Sequence, residues 1–121
     1  MRIAFLISGL AEIIAAIICY SAPDLIIANG TPYLLKLYGI NAFVLGIINL
    51  LLFHYFEESE MVRKIYLAMM FFHGAVAMMT YGFKNTALTY PLGAVLFHLA
   101  LFVLFFIMYM RDLKPDENPN D

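Results

Sequence analysis

Three ionisable side chains stand inside long apolar stretches of this chain: Glu12 within Ile3 to Ala22, His73 within Val62 to Phe83, and His98 within Pro91 to Met110. Asn41 and Asn49 stand in a fourth stretch. A carboxylate and two imidazoles offer proton exchange, pairing with a cation, or coordination of a metal with the ligand types zinc accepts. The two histidines also invite comparison with the axial ligands of a b-type haem. Asparagine adds hydrogen bonds but has no proton to relay. No nucleophile and base pair, phosphate cradle or local metal-ligand motif accompanies them, so the sequence assigns no catalytic residue, no metal site and no cofactor. A non-enzymatic role is the expectation.

The elements that must hold these groups follow from length and hydropathy. Each apolar stretch spans roughly 20 residues, and a helix rising about 1.5 Å per residue needs that number to cross a hydrocarbon core of about 30 Å. The chain is 64% hydrophobic and 13% charged, against about 45 to 50% and about 25% in soluble domains, so lipid must solvate most of its surface. A net charge of −2 without a basic stripe excludes nucleic acid as a partner. The single cysteine, Cys19, has no internal partner for a disulfide and lies on a small-residue face with Ser8, Glu12 and Ala15, which marks it as a packing residue. Arg2 ahead of an apolar run imitates a secretory signal, but Glu12 in mid-run and Ile17-Ile18 ahead of Cys19 argue that the segment stays in the mature protein.

The fold expected is all-α: an integral membrane four-helix up-down bundle over residues 1–113, with spans at about 3–22, 34–56, 62–83 and 91–110, and a disordered polar tail at 114–121. Thr31 with Pro32 opens the second span, Ser59 caps the third, Glu60 and Lys64 are spaced to pair, Gly82 with Asn85 marks an exit, and Thr89 or Tyr90 caps the fourth. A short interfacial helix is expected in the first loop, at Ala22 to Ile27, ahead of an Asn29-Gly30 turn. Arg2, Arg63, Lys64, Arg111 and Lys114 fall on one side, and Lys36 and Lys84 on the other. That bias places both termini in the cytoplasm. The eight tyrosines fall within about two turns of span ends, at headgroup level.

In an antiparallel hairpin, residues equidistant from the loop share a depth. His73 and His98 average to position 85.5, inside the third loop, and Glu12 and Asn41 to 26.5, inside the first. Asn41, Leu45 and Asn49, at i, i+4 and i+8, are expected on one face of the second helix. A charged group facing lipid costs roughly 2.5 to 3.5 kcal/mol, so Glu12, Asn41, Asn49, His73 and His98 should turn inward and meet near mid-depth. His54, at a span end, reads as interfacial.

A first helix with Gly9 and Glu12 leading to Pro23, then Tyr38-Gly39 and Leu45-Gly46, then single histidines in the third and fourth spans, resembles the DoxX-like small four-helix membrane proteins of bacteria. The resemblance covers most of the chain and implies an inner-membrane bundle near respiratory or quinone chemistry, with no catalytic residues to carry over. Leu10-Ala11-Glu12-Ile13-Ile14 resembles the first helix of the small multidrug resistance transporters, in which the glutamate matched by Glu12 binds protons or a cationic substrate. Beyond that helix the chain departs from the pattern: it has no tryptophan, it carries histidines inside later spans, and its charge bias is one-sided.

The leading expectation is an inward cluster that organises the bundle or binds a small apolar ligand with a polar head, such as a quinone or lipid, in a pocket lined by aromatics and methionines. The alternatives are proton-coupled transport of small cationic solutes through Glu12 and a b-type haem held by His73 and His98. The partner is the lipid bilayer, with a homo-oligomer left open.

Overall fold

The computed structural model describes residues 1–26, 32–82 and 91–112. It is all-helical: α1 at Arg2–Ser21, α2 at Pro32–His54, α3 at Glu60–Gly82 and α4 at Pro91–Asp112, with a short 3₁₀ turn at Pro23–Leu25. Among the described residues four helices are long and apolar enough to cross a membrane, and no more than 39% of any span is buried inside the protein. An apolar surface that large needs lipid against it, which makes the chain a multi-pass membrane protein by length and composition.

Local chemistry explains the helix ends. Ala22 precedes Pro23, whose ring disfavours helical backbone in the residue before it, and Ala22 accordingly leaves the helix at φ −143° and ψ 58°. The expected first-loop helix is shorter in the structure, a single turn closed by Leu25 N–H to Ala22 O (3.0 Å) and Ile26 N–H to Pro23 O (2.9 Å). The Ser59 hydroxyl caps α3 by accepting the Val62 N–H at 3.2 Å. Glu60 and Lys64 pair one turn apart at 2.8 Å, and Glu58 pairs with Arg63. The expected caps Thr31, Thr89 and Tyr90, the Asn29-Gly30 turn, Asn85 and the tail lie outside the described residues.

Helices pack as two close pairs, α1 on α2 and α3 on α4, with α1 meeting α4 more sparsely. Small residues set the first pair. A Cβ added to Gly46 would stand 2.9 Å from the Gly9 carbonyl and 2.7 Å from Ile13 Cγ1, and one added to Gly39 would stand 3.0 Å from Cys19 Cβ. Glycines let the two backbones touch, which is how helices associate where lipid removes the hydrophobic drive between them. These pairings also fix the direction: residue 9 lies against 46 and residue 19 against 39, so α1 and α2 run antiparallel. Buried Cys19 is part of that contact.

This interface predicts its own sensitivity. Gly46→Val should push α2 off α1 and cost about 1 to 3 kcal/mol through overpacking against backbone that has no room to yield. Gly82→Ala, where no atom of the described residues lies within 4 Å of the added Cβ, should stay within about 1 kcal/mol of the parent. Unfolding in mixed micelles, followed by far-UV circular dichroism, compares the two; equal midpoints would contradict the close approach.

The aromatic core sits at the end that carries the chain's start and the α2–α3 connection. Phe5, Tyr66 and Phe105 are fully buried. Phe5 meets Tyr66 edge-on at 5.4 Å and Phe105 at 5.9 Å between ring centroids. At the same end the Met1 amino group pairs with Asp112 at 2.5 Å, and Arg2 donates to the Phe53 carbonyl at 2.9 Å. His54 is exposed at the end of α2, against Tyr55.

Candidate functional site

One polar residue from α1 would be a lone liability in this interior, but the four helices contribute to one cluster. Ser8 and Glu12 come from α1, Asn49 from α2, His73 from α3 and His98 from α4, and each is buried. Burial on all four helices follows from the cost of leaving such groups in hydrocarbon, and the helices must converge on them to satisfy it.

A chain of hydrogen bonds links the groups. Asn49 Nδ2 donates to Ser8 Oγ at 3.1 Å, and Ser8 Oγ lies 3.1 Å from His73 Nε2. His73 Nδ1 faces His98 Nδ1 at 3.1 Å, and His98 Nε2 approaches the Tyr38 hydroxyl at 3.5 Å. A neutral imidazole carries one N–H, so one facing Nδ1 donates and the other accepts. If His73 donates, the Ser8 hydroxyl gives its proton to His73 Nε2, and His98 Nε2–H points to Tyr38. If His98 donates, every bond in the chain reverses, with the Asn49 amide turned to accept from Ser8. Both polarities satisfy the ring nitrogens.

Glu12 stands beside this chain and outside it. Its Oε1 lies 3.8 Å from His73 Nδ1, close enough for ion pairing but too far for a hydrogen bond. That oxygen is buried without a hydrogen-bond partner among the described residues. Glu12 also lines a groove of about 420 Å³ with Tyr38, Asn41, Ala42, Val44 and Leu45 of α2 and Phe72 of α3. Most of that wall is apolar.

Of the five residues singled out in the sequence, Glu12, Asn49, His73 and His98 are brought together, and Asn41 is not. Asn41 is exposed and its amide donates to the Leu37 carbonyl one turn back at 3.1 Å. Residues advance about 100° each, so Asn41 lies about 80° beyond Asn49, which already borders the inward face, and points off it. The inward face runs through Leu35, Gly39, Ala42, Gly46 and Asn49, and Asn41 falls beside it, on the groove. Ser8 and Tyr38 are the members that the sequence reading left out. Ser8 sits one turn before Glu12, a spacing that could have included it; Tyr38 gave no signal beyond an interfacial ring.

The histidine pair does not fit a haem between its rings. The ring centroids are 5.4 Å apart at 31°, and the two Nδ1 atoms are in direct contact, which leaves no space for a macrocycle between them. A single ion is another matter of size, because one ligand atom from each of Glu12, His73 and His98 lies within 4.8 Å of the other two. Comparison with family models, with curated proteins and with solved structures finds no match to this chain.

Proposed function

We propose that this protein is an up-down four-helix bundle with both termini on the cytoplasmic side of the inner (plasma) membrane, and that its mid-depth cluster receives the polar head of a small apolar ligand. A quinone or a lipid has the required shape. The observation that carries this reading is the buried, unpartnered Glu12 Oε1 at the wall of a largely apolar groove between α2 and α3. An unsatisfied polar atom in an apolar interior costs about 1 to 3 kcal/mol, and a ligand head that bonds to it recovers part of that cost. The groove volume falls within the roughly 300 to 1,000 Å³ of small-molecule sites. Tyr38 and Asn41 add polar atoms beside Glu12, and Phe72, Val44 and Leu45 supply contacts for an apolar body.

Removing the carboxyl group tests the reading. Glu12→Leu keeps the apolar volume and removes the hydrogen bonds that the carboxyl group offers a head group, so a quinone or lipid retained by the parent in native mass spectrometry should bind at least about tenfold more weakly, the equivalent of about 1.4 kcal/mol. Undiminished retention, or a parent protein that retains and takes up no such molecule, ends the proposal. Glu12→Gln separates the transporter alternative, for which the same unpartnered carboxylate speaks. Proton-coupled export of a cation in proteoliposomes should vanish in that variant, whereas a head-group hydrogen bond survives it.

The orientation rests on the lysine and arginine bias of the sequence. A phosphatase fused after the last helix should be inactive and a fluorescent protein there bright; the opposite result inverts the topology.

A further inference from the structure

We infer that Glu12, His73 and His98 form a binding site for one divalent transition-metal ion, with a coordination position left for an oxygen donor from the groove.

The three ligand atoms stand near the spacing of a tetrahedral site. Ligand atoms 2.0 to 2.1 Å from a tetrahedral zinc ion stand about 3.3 Å from one another. His73 Nδ1 and His98 Nδ1 are 3.1 Å apart, and His73 Nδ1 and Glu12 Oε1 are 3.8 Å apart. An ion between the three therefore needs the first edge to open by about 0.2 Å and the second to close by about 0.5 Å, while the third, from Glu12 to His98, lies within 4.8 Å and closes as the carboxylate moves in. Glu12 Oε1 has no hydrogen-bond partner to give up, and the Nδ1 pair gives up one.

The surroundings favour the metal-bound arrangement of protons. When both Nδ1 atoms coordinate, each Nε2 must carry the ring proton and donate it outward. Acceptors stand at both places: Ser8 Oγ at 3.1 Å from His73 Nε2, and the Tyr38 hydroxyl at 3.5 Å from His98 Nε2. Ser8 is held in turn by Asn49. Histidines that bind metals characteristically donate their second ring N–H to such a partner, which fixes the tautomer and orients the ring.

Two imidazoles and one carboxylate suit the borderline ions zinc, iron(II) and cobalt(II) better than calcium or magnesium, which prefer all-oxygen sites. Neutral imidazoles and a single carboxylate leave a dication with one net positive charge in an apolar interior. An oxygen-rich head group arriving along the groove would offset it. The inference deepens the groove-ligand reading and rests on it only for the occupant of that open position.

The test uses the full chain in detergent micelles, stripped with a chelator and titrated with Co²⁺, with d–d absorption and elemental analysis as readouts; parallel titrations use Zn²⁺ and, anaerobically, Fe²⁺. One ion per chain with a low-symmetry Co²⁺ spectrum is expected. Glu12→Gln keeps the shape and a head-group hydrogen bond but replaces an anionic ligand by a neutral amide, and should weaken Co²⁺ binding at least tenfold. Ser8→Ala leaves all three ligands in place and should weaken it about 10- to 100-fold through the lost orienting bond. Either variant keeps the question decidable should the other not fold. A helical, monodisperse parent that takes up none of the three ions overturns the inference. So does Co²⁺ binding that is unchanged in every folded variant, since the ion then sits elsewhere. Ligand retention measured on the metal-stripped parent reports separately on the groove reading, so failure of one leaves the other to be judged by its own result.

Discussion

Replacing His73 with phenylalanine is expected to destabilise the bundle by about 2 to 4 kcal/mol, although the new side chain is larger, apolar and at home in a membrane. His73 is the central link of the buried chain, meeting Ser8 through Nε2 and His98 through Nδ1. Phenylalanine leaves His98 Nδ1 without a partner and Ser8 with only its bond from Asn49, and an orphaned buried group costs about 1 to 3 kcal/mol. Lipid cannot supply the missing bonds. His98→Phe should cost less, because it orphans His73 Nδ1 but breaks only a long 3.5 Å contact at its other nitrogen. Steric-trapping or SDS-unfolding measurements in bicelles can rank the two. A His73→Phe protein as stable as the parent would mean the bonds contribute little, as hydrogen bonds between membrane helices sometimes do at about 0.6 kcal/mol each.

The ranking depends on a network whose members were partly legible before any coordinates. Spans expected at about 3–22, 34–56, 62–83 and 91–110 correspond to helices Arg2–Ser21, Pro32–His54, Glu60–Gly82 and Pro91–Asp112, because length and apolarity alone define a helix meant for a bilayer. Ser59 and the Glu60–Lys64 pair were readable for a similar reason: capping and one-turn ion pairs are local. Levelling His73 with His98 by distance from their shared loop also placed them in contact, since that connection is short and α3 packs closely on α4.

Asn41 shows where such arithmetic fails. Levelling Glu12 with Asn41 put the centre of the first hairpin at 26.5, whereas Ser8 beside Asn49 puts it two residues later, at 28.5. A shift of two in the centre moves the partner by four residues, one full turn of helix. The register is set by where Gly9 and Gly46 let the backbones touch, a property of two surfaces together. Rotation about the helix axis compounds the error, for the face that turns inward is the one carrying Gly39, Ala42 and Gly46. Small residues were visible in the sequence, but their power to choose the inward face came from packing in the absence of a hydrophobic drive. Tyr38 illustrates the converse: a ring expected at headgroup level reaches a histidine because α2 starts early enough to place it beside α4.

That absence of hydrophobic drive shapes the expectation for Phe5→Ala. In a soluble core, truncating a buried phenylalanine costs about 3 to 5 kcal/mol, of which part is transfer of the ring from water. Here the unfolded reference is a helix in lipid, so the transfer part largely cancels. What stays is the loss of contacts and the void. Phe5 is fully buried among Tyr66, Phe105 and Phe56, with ring centroids 5.4, 5.9 and 6.4 Å away. Aromatic pairs contribute about 0.5 to 1.5 kcal/mol each beyond area burial, and a cavity enclosed by protein cannot be refilled by acyl chains. The expected cost is therefore about 2 to 4 kcal/mol. Ile14→Ala removes about half as many carbons from a side chain 57% exposed on the same helix, where lipid closes the gap, and should change stability by less than about 0.5 kcal/mol. The contrast between the two, measured in one bicelle composition, separates packing from hydrophobicity: similar losses would show that lipid-facing contacts hold this bundle as strongly as its interior does. The consequence reaches the polar cluster, because Phe105 touches both Phe5 and the His73 ring, at 5.7 Å. A void at Phe5 frees Phe105 to move, and with it the wall that holds His73 against Ser8 and His98.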